Sequence, residues 1–385
     1  MKVKLHDYKI AFVAASPQTV ISFLNPHIIY LSKKFTIDVL CSNPSVIAPI
    51  SLVENIHYQN IEITRKINVW KDIVSLLKLI CYFAKSKFDL VHSITPKAGL
   101  LAMMAAYLCG VRFRVHIFTG QVWANKKGLS RQLLKITDRL TALTATHILA
   151  DSNSQRDYLI KQGVVTSRKI AVLGCGSVCG VDLRRFSPNI KARAHIRKSL
   201  GIDIDSVIAI FVGRLTADKG IFDLVHAFSM SPPELNLMIV GADEEGISEE
   251  LLSLSEAASG RIHLVPHANN PEDYMAAADF ICLPSYREGF GSVIIEGAGV
   301  GLPAIASRIY GITDAVEDGI TGFLHEPGSI EQITNLMTIL SNDAAMRIQM
   351  GERARSRAYR FFSSHNVVMA QMIFYDDLFK KIEKK

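Results

Sequence analysis

Short apolar runs alternate with longer helix-period segments through nearly the whole chain, and this alternation restricts the fold more than any other feature. In the first half YKIAFVAAS (8–16), FTIDVLCS (35–42), FDLVHS (88–93), FRVHIFTG (113–120) and ATHILADS (145–152) read as strands, with helical periodicity over 68–85, 97–109 and 129–143. The pattern restarts after VDLRRFSP (181–188). VIAIFVGR (207–214), LNLMIVG (235–241), IHLVP (262–266), ADFICLPS (278–285), LPAIAS (302–307) and GFLHEP (322–327) are then the strand candidates, and 220–230, 249–258 and 271–278 the helical ones. Such alternation builds parallel sheets covered by helices on both faces. Two α/β, Rossmann-like domains facing across a cleft are expected, over 1–187 and 188–364, the second ending in the amphipathic segment 329–360, with a further amphipathic segment 365–385 after it. The last segment, a C-terminal helix, has room to pack back on the first domain.

Composition sets the class of partner. A chain of 385 residues, 49% hydrophobic and 21% charged, has the length of two ordinary domains. Its net charge of +7 conceals an asymmetry: residues 1–188 hold 25 Lys and Arg against 10 Asp and Glu, the remainder 18 against 26. A basic half suits nucleic acid, a phosphorylated small molecule or an anionic bilayer. Nucleic acid is the weakest of these, because the charges are dispersed and no recognition motif accompanies them. The six cysteines show no paired metal spacing beyond the CGSVC of Cys175 to Cys179, so neither a metal site nor disulfides are expected. AFVAAS (11–16), cut short by Pro17, is too brief for a signal peptide or a spanning helix, and GLLAMMAAYLCG (99–110) reads as a buried helix. A cytoplasmic protein follows from that reading.

Two motifs in the second half carry chemistry. VGRLTADKG (212–220) leaves a strand end and enters a helix, with Gly213 at the turn and Arg214 and Lys219 at the mouth. Two cations beside the N–H groups of a helix start suit a diphosphate, and the arginine fork adds geometric fit. PSYREGFGSVIIEGAGVGLPAIAS (284–307) reads as strand, turn, helix, turn and strand. Gly289 and Gly291 keep the loop bare, so backbone donors at Phe290, Gly291, Ser292 and Val293 can face an anion or a sugar hydroxyl. The helix starts near Gly291 or Ser292 and carries Glu296 about one turn inward, where a carboxylate accepts from vicinal hydroxyls such as those of ribose. Glu288 lies before the turn.

Together VGRLTADKG and EGFGSVIIE resemble the family 4 retaining glycosyltransferases of GT-B fold, over nearly the whole chain. The resemblance implies that Arg214 and Lys219 hold a donor diphosphate, that Glu296 holds the ribose, and that Glu288 with Phe290 and Gly291 contacts the transferred sugar. Glu288, Arg214 and Lys219 are thus the catalytic candidates, with Glu288 as a positioning and charge-stabilising group rather than a nucleophile. It implies a nucleotide-sugar donor as substrate, a UDP-sugar favoured and a GDP-sugar as the alternative, and no required cofactor or divalent metal. VHSITPKAG (91–99) and VHIFTGQVW (115–123) resemble the branch that builds bacterial surface polysaccharides such as O-antigen and capsule. Many family members have histidine and glycine where this chain has Thr119 and Gly120.

The same branch implies a polyprenyl-diphosphate-linked saccharide as acceptor and a hexosyl- or N-acetylhexosaminyltransferase activity. Ser16, His92, Lys97 and Thr119 lie at strand ends of the first domain and are its acceptor-side candidates; for His92 and His116 a packed, satisfied histidine is the competing reading. NVWKDIVSLLKLICYFAKSK (68–87) sets Trp70, Ile73, Leu77, Ile80 and Tyr82 among Lys71, Lys78, Lys85 and Lys87, as an interfacial helix does, against the plainer reading of a cationic surface helix. Peripheral association with an anionic membrane at its inner face is therefore expected. Two rival functions are a GT-B-type nucleotide-sugar epimerase or hydrolase and a non-catalytic membrane-associated assembly subunit. The oligomeric state is open.

Overall fold

The computed structural model describes residues 8–44, 55–64, 68–254, 260–266 and 268–383. The chain divides into two compact units, one of Met1–Cys179 with Ser364–Lys385 and one of Gly180–Ser363. Among the described residues each unit is built on one all-parallel sheet. In the first, β1 (Lys9–Val13), β2 (Thr36–Cys41), β3 (Ile56–Asn60), β4 (Leu90–Ile94), β5 (Phe113–Phe118), β6 (His147–Ala150) and β7 (Ile170–Val172) lie in the order 3-2-1-4-5-6-7. The second places β8 (Val207–Val212), β9 (Leu235–Val240), β10 (Ile262–Val265), β11 (Phe280–Leu283), β12 (Ala304–Ser307) and β13 (Gly322–His325) in the order 10-9-8-11-12-13. Both orders contain the Rossmann arrangement, whose winding reverses beside the first strand.

The central strands are buried on both faces, as the near-continuous apolar runs require. Helices Val69–Ser86, Pro96–Leu108 and Gly128–Thr144 cover one face of the first sheet around Leu79, Phe83, Ala102 and Ala142. The opposite face is closed by Asn25–Leu31 and by the C-terminal helix Ser364–Glu383, which inserts Tyr375, Leu378 and Phe379. Phe379 stacks on Tyr8 with ring centroids 4.2 Å apart and meets Phe35 at 5.5 Å. The final helix is thus core to the first unit, although some 180 residues of the second intervene.

Strands β3 and β7 were not among the sequence candidates. IHYQN mixes exposed and half-buried positions, and IAV is three residues long, so neither presents the apolar run of an interior strand. The segment 329–360 is two helices, Ile330–Asn342 and Ala344–Phe361, because Asp343 takes an extended conformation and caps the second through Met346 N. In the second unit the helix Ser248–Ser253 ends before the expected 258, and 255–258 lie outside the described residues.

A polar string runs through the first core. His92 on β4 bonds through Nδ1 to the Tyr375 hydroxyl, which also accepts from Gln371 Nε2 at 2.7 Å, while His116 Nδ1 lies 2.9 Å from Ser93 Oγ and His27 Nε2 2.7 Å from the Val178 carbonyl. Desolvation holds all three imidazoles neutral, with pKa values lowered to about 4 for His27 and about 3 for His92 and His116. The unfolded chain binds their protons from 6.5 downward and the folded one does not, so stability is lost as pH falls through that window. Each histidine should cost about 1.4 kcal/mol per pH unit there. Burial pushes the Asp138, Asp151 and Glu296 carboxyls up, and they act in the opposite sense over the same range, so the histidines are best followed individually. NMR titration should show the His27, His92 and His116 rings still neutral at pH 5.5; imidazolium signals there would contradict neutral burial.

Candidate functional site

In the second unit the winding reverses between β8 and β11, and the loops that follow these strands meet at the switch point. Their contact is made possible by a glycine. Gly220 has φ +68°, and a Cβ there would lie 2.0 Å from the Pro284 carbonyl oxygen, so only a bare backbone lets the first loop lie on the second. Asp218 adds two ties: its carbonyl accepts from Tyr286 N at 2.9 Å and its carboxylate from Arg287 Nη2 at 2.8 Å.

These ties bring Lys219 to Glu288. Lys219 Nζ donates to Glu288 Oε1 at 2.6 Å, and Ser285 Oγ donates to the same oxygen at 2.9 Å. Both charged side chains are largely shielded from water, which makes the pair stronger than a surface one. Arg214 does not join them. Its Nη1 donates to Glu244 Oε2 at 2.7 Å, and Glu245 accepts from Ala217 N at 2.9 Å. Glu244 and Glu245 belong to the loop after β9, which Asp243 secures by accepting from Ile247 N, Ser248 N and Ser248 Oγ. Internal carboxylates therefore pair with both cations and one backbone N–H of the loop.

The helix Ser292–Val300 has the sequence SVIIEGAGV, with β-branched residues and glycines that disfavour helix by propensity. Packing overrides propensity here. Ile294, Ile295 and Ala298 are buried, and Gly297 lies against the Ile281 side chain of β11. Gly291 takes the left-handed conformation at the N-cap, φ +77°, so the chain turns sharply from the Glu288 loop into the first turn. Phe290 buries its ring against Phe362, centroids 5.1 Å apart, and leaves only its backbone toward the loop. Ser292 and Val293 are the first helical residues, whose N–H groups have no acceptor inside the helix.

Glu296 follows one turn later. Part of the residue reaches solvent, but the surrounding protein desolvates its carboxyl and pushes its pKa up to about 7; Arg185 pulls it down and Glu272 pushes it further up. Arg185 is itself bonded to Glu272 at 2.8 Å and to the Asn269 carbonyl at 3.1 Å. Ser285, Glu244, Glu245 and Arg185 escaped the sequence reading. The acids of ADEEG directly after strand β9 were a usable signal; Arg185 comes from the segment before β8 and only folding brings it near Glu296.

The first-unit candidates separate. Ser16 follows β1, caps the short helix Pro17–Thr19 through Thr19 N at 3.3 Å and lies 3.0 Å from Thr19 Oγ1. Lys97 follows β4 across the same switch point and donates to Asp72 Oδ1 at 2.8 Å. Thr119, half-buried, follows β5. His92 is not at a strand mouth with them. It lies within β4, 2% exposed and bonded to Tyr375, because strand alternation turns it toward the C-terminal helix; it is a packed core histidine and not a substrate contact.

Two all-parallel Rossmann-like units in one chain are the architecture of the GT-B transferases, and comparison with known proteins agrees. The family described as "Glycosyl transferase 4-like domain" matches residues 37–176, and "Glycosyl transferases group 1" matches 192–357. The capsular polysaccharide biosynthesis glycosyltransferase CapM of Staphylococcus aureus is 31% identical over 330 residues, 84% of this chain and 86% of that protein. An Escherichia coli UDP-Gal:alpha-D-GlcNAc-diphosphoundecaprenol alpha-1,3-galactosyltransferase is 29% identical over 307 residues, 78% of each chain. The solved structure of HepE from Anabaena with UDP and glucose shares the fold at a TM-score of 0.81 and 18% identity, covering 96% of this chain and 100% of its own. The chain belongs to the family 4 glycosyltransferases of GT-B fold, in their surface-polysaccharide branch, and is a glycosyltransferase.

The Gly220 contact can be tested against a matched control. Gly220→Ala should lose about 1–3 kcal/mol in chemical denaturation, from the strained φ and the clash together. Gly246→Ala shares a positive φ of +71° but meets nothing within 4 Å, so it should lose no more than about 1 kcal/mol. Equal losses would show that loop contact adds nothing at Gly220.

Proposed function

We propose that this glycosyltransferase moves a hexosyl or N-acetylhexosaminyl group, with retention at the anomeric carbon, from a UDP-sugar to a polyprenyl-diphosphate-linked saccharide in bacterial surface-polysaccharide synthesis. The observation that carries the donor half is the convergence of Lys219 and Glu288 at the switch point of the second unit, beside the start of the helix Ser292–Val300. Cation and backbone N–H groups there suit a diphosphate, and the HepE complexes with UDP and with UDP-glucose support a uridine donor. The E. coli relative, whose name specifies a diphosphoundecaprenol acceptor, supports a lipid-linked one.

On this reading the donor diphosphate displaces Glu244 from Arg214 and draws Lys219 toward its oxygens. As the sugar–phosphate bond breaks, charge grows on the departing diphosphate, and Arg214, Lys219 and the N–H groups of Phe290, Gly291, Ser292 and Val293 stabilise it. These groups supply the positive charge without calling on a metal or another cofactor. Glu288 orients the transferred sugar and steadies positive charge on it, while ionised Glu296 accepts from the ribose hydroxyls. Ser16, Lys97 and Thr119 are the acceptor-side groups of the first unit. Lys97 sits near a helix N-terminus, where its charge serves an acceptor phosphate better than it serves the helix. Acceptors of this kind are presented at a membrane, and the basic first unit associates peripherally with its inner face.

A screen of purified protein against UDP- and GDP-sugars with lipid-linked acceptors, followed by linkage analysis, tests the whole reading. Release of free sugar without a new glycosidic bond, or an inverted linkage, would overturn it. Lys219→Ala should lower kcat/KM for the donor by about two orders of magnitude; unchanged kinetics would remove Lys219 from the site.

The pKa of Glu296 makes a further prediction. A carboxylate that must ionise near 7 before accepting ribose bonds binds donor better as pH rises, so affinity for an intact nucleotide sugar should increase between about pH 6 and 8. The diphosphate diester lacks the phosphomonoester step near 6 that would confuse the reading. Calorimetry with Glu296→Gln should give a pH-flat affinity; a slope equal to that of the unaltered protein would exclude Glu296.

A further inference from the structure

The helix Gly128–Thr144 carries apolar side chains on its outer as well as its inner face. Inward, Ala142 is buried and Leu134 packs on the core, beside Thr141 and Asp138, which accepts from Trp123 Nε1 at 2.7 Å; at the edge of that face Arg131 and Lys135 lie partly exposed over the Trp123 ring at 5.8 and 5.5 Å. The outward side carries Leu129, Leu133, Ile136, Leu140 and Leu143, each between 41% and 75% exposed. Their spacing of four, three, four and three residues aligns them in one stripe along the helix. Isolated exposed leucines need no explanation, but a continuous apolar stripe on a helix marks a contact surface.

The charge around the stripe selects its occupant. Residues 126–144 contain Lys126, Lys127, Arg131, Lys135 and Arg139 against the single acid Asp138, which is turned inward. Arg131 and Lys135 share the neutral Gln162 Oε1, and Arg139 donates to the Gly163 carbonyl, so their charge is left for an external anion. The helix Val69–Ser86, on the same face of the first sheet, repeats the chemistry with Trp70, Val74 and Leu77 exposed among Lys71, Lys78 and Lys85. A second copy of the chain seated stripe to stripe would set cations against cations. An anionic bilayer satisfies both the stripe and its flanks.

We propose that Gly128–Thr144 is an interfacial helix that lays its Leu129–Leu143 stripe into the headgroup boundary of an anionic bilayer, with the outer face of Val69–Ser86 as its companion. No helix among the described residues is long and apolar enough to cross a membrane, so the helix lies on the surface rather than through it. The proposal deepens the peripheral reading above and names the surface responsible; its test does not depend on sugar transfer.

The test compares the unaltered protein with a Leu133→Glu, Leu140→Glu double variant in co-sedimentation with phosphatidylglycerol–phosphatidylethanolamine vesicles and with phosphatidylcholine vesicles. Both leucines already face solvent, so circular dichroism should show the variant folded. The unaltered protein should bind the anionic vesicles, release them at high salt and bind phosphatidylcholine weakly; the variant should lose about tenfold or more in partition. Trp70 fluorescence should be quenched by brominated lipid in the unaltered protein, whereas Trp123 is buried. Equal vesicle binding by both proteins would overturn the proposal. So would binding indifferent to lipid charge, or a concentration-dependent dimer that the double variant abolishes without any vesicle binding. Turnover on a detergent-soluble, short-chain acceptor should be the same in both proteins. Absence of that turnover in both would count against the transferase reading while leaving the vesicle result standing.

Discussion

All strands of both sheets run parallel, and that constraint governs everything else in the chain. A parallel neighbour cannot be reached by a tight turn, so each connection crosses over a face, and helices come to cover both sides. Starting a sheet at its middle strand and winding first one way and then the other leaves a gap at the reversal, where the loops after two adjacent strands diverge. In the second unit those loops are 213–220 after β8 and 284–291 after β11. Arg214, Lys219 and Glu288 lie in these two loops, at the reversal where open parallel sheets take their ligands.

What fills the crevice is charge held in balance. Lys219 and Glu288 form a shielded pair, while Arg214 and Glu244 form a more exposed one whose worth to stability is small. Both cations of the loop 213–220 have an internal carboxylate partner. The more exposed Arg214 pair is the weaker of the two, whereas Ser285 and the Asp218 ties hold together the loops that carry Lys219 and Glu288.

The fold was largely legible in the residues. All six strands of the second sheet coincide with apolar runs: the four interior ones are buried on both faces and must be continuously apolar, and the edge strands β10 (IHLV) and β13 (GFLH) happen to keep apolar runs as well. β3 and β7 were not legible, since edge strands are relieved of that demand. EGFGSVIIE shows the same boundary within the site. Its glycines revealed a helix start that the β-branched run argued against, yet nothing in its composition revealed that Glu288 would pair with Lys219, 69 positions upstream. Glu244 and Arg185 were missed for that reason: each meets its neighbour only after crossovers have brought distant loops together.

Local periodicity and loop chemistry by themselves determined two Rossmann-like units, the loop that carries Arg214 and Lys219, and the acids that bracket the glycine turn. Only the tertiary structure decided which side of each element faces inward. It buried His92 against Tyr375 of the final helix, and it turned the leucine stripe of Gly128–Thr144 outward while Asp138 and Thr141 went in. A helical period records that one face differs from the other but not which one meets the core. Here the inward face combines Ala142 and Leu134 with Asp138, whose carboxyl accepts from the buried indole N–H of Trp123.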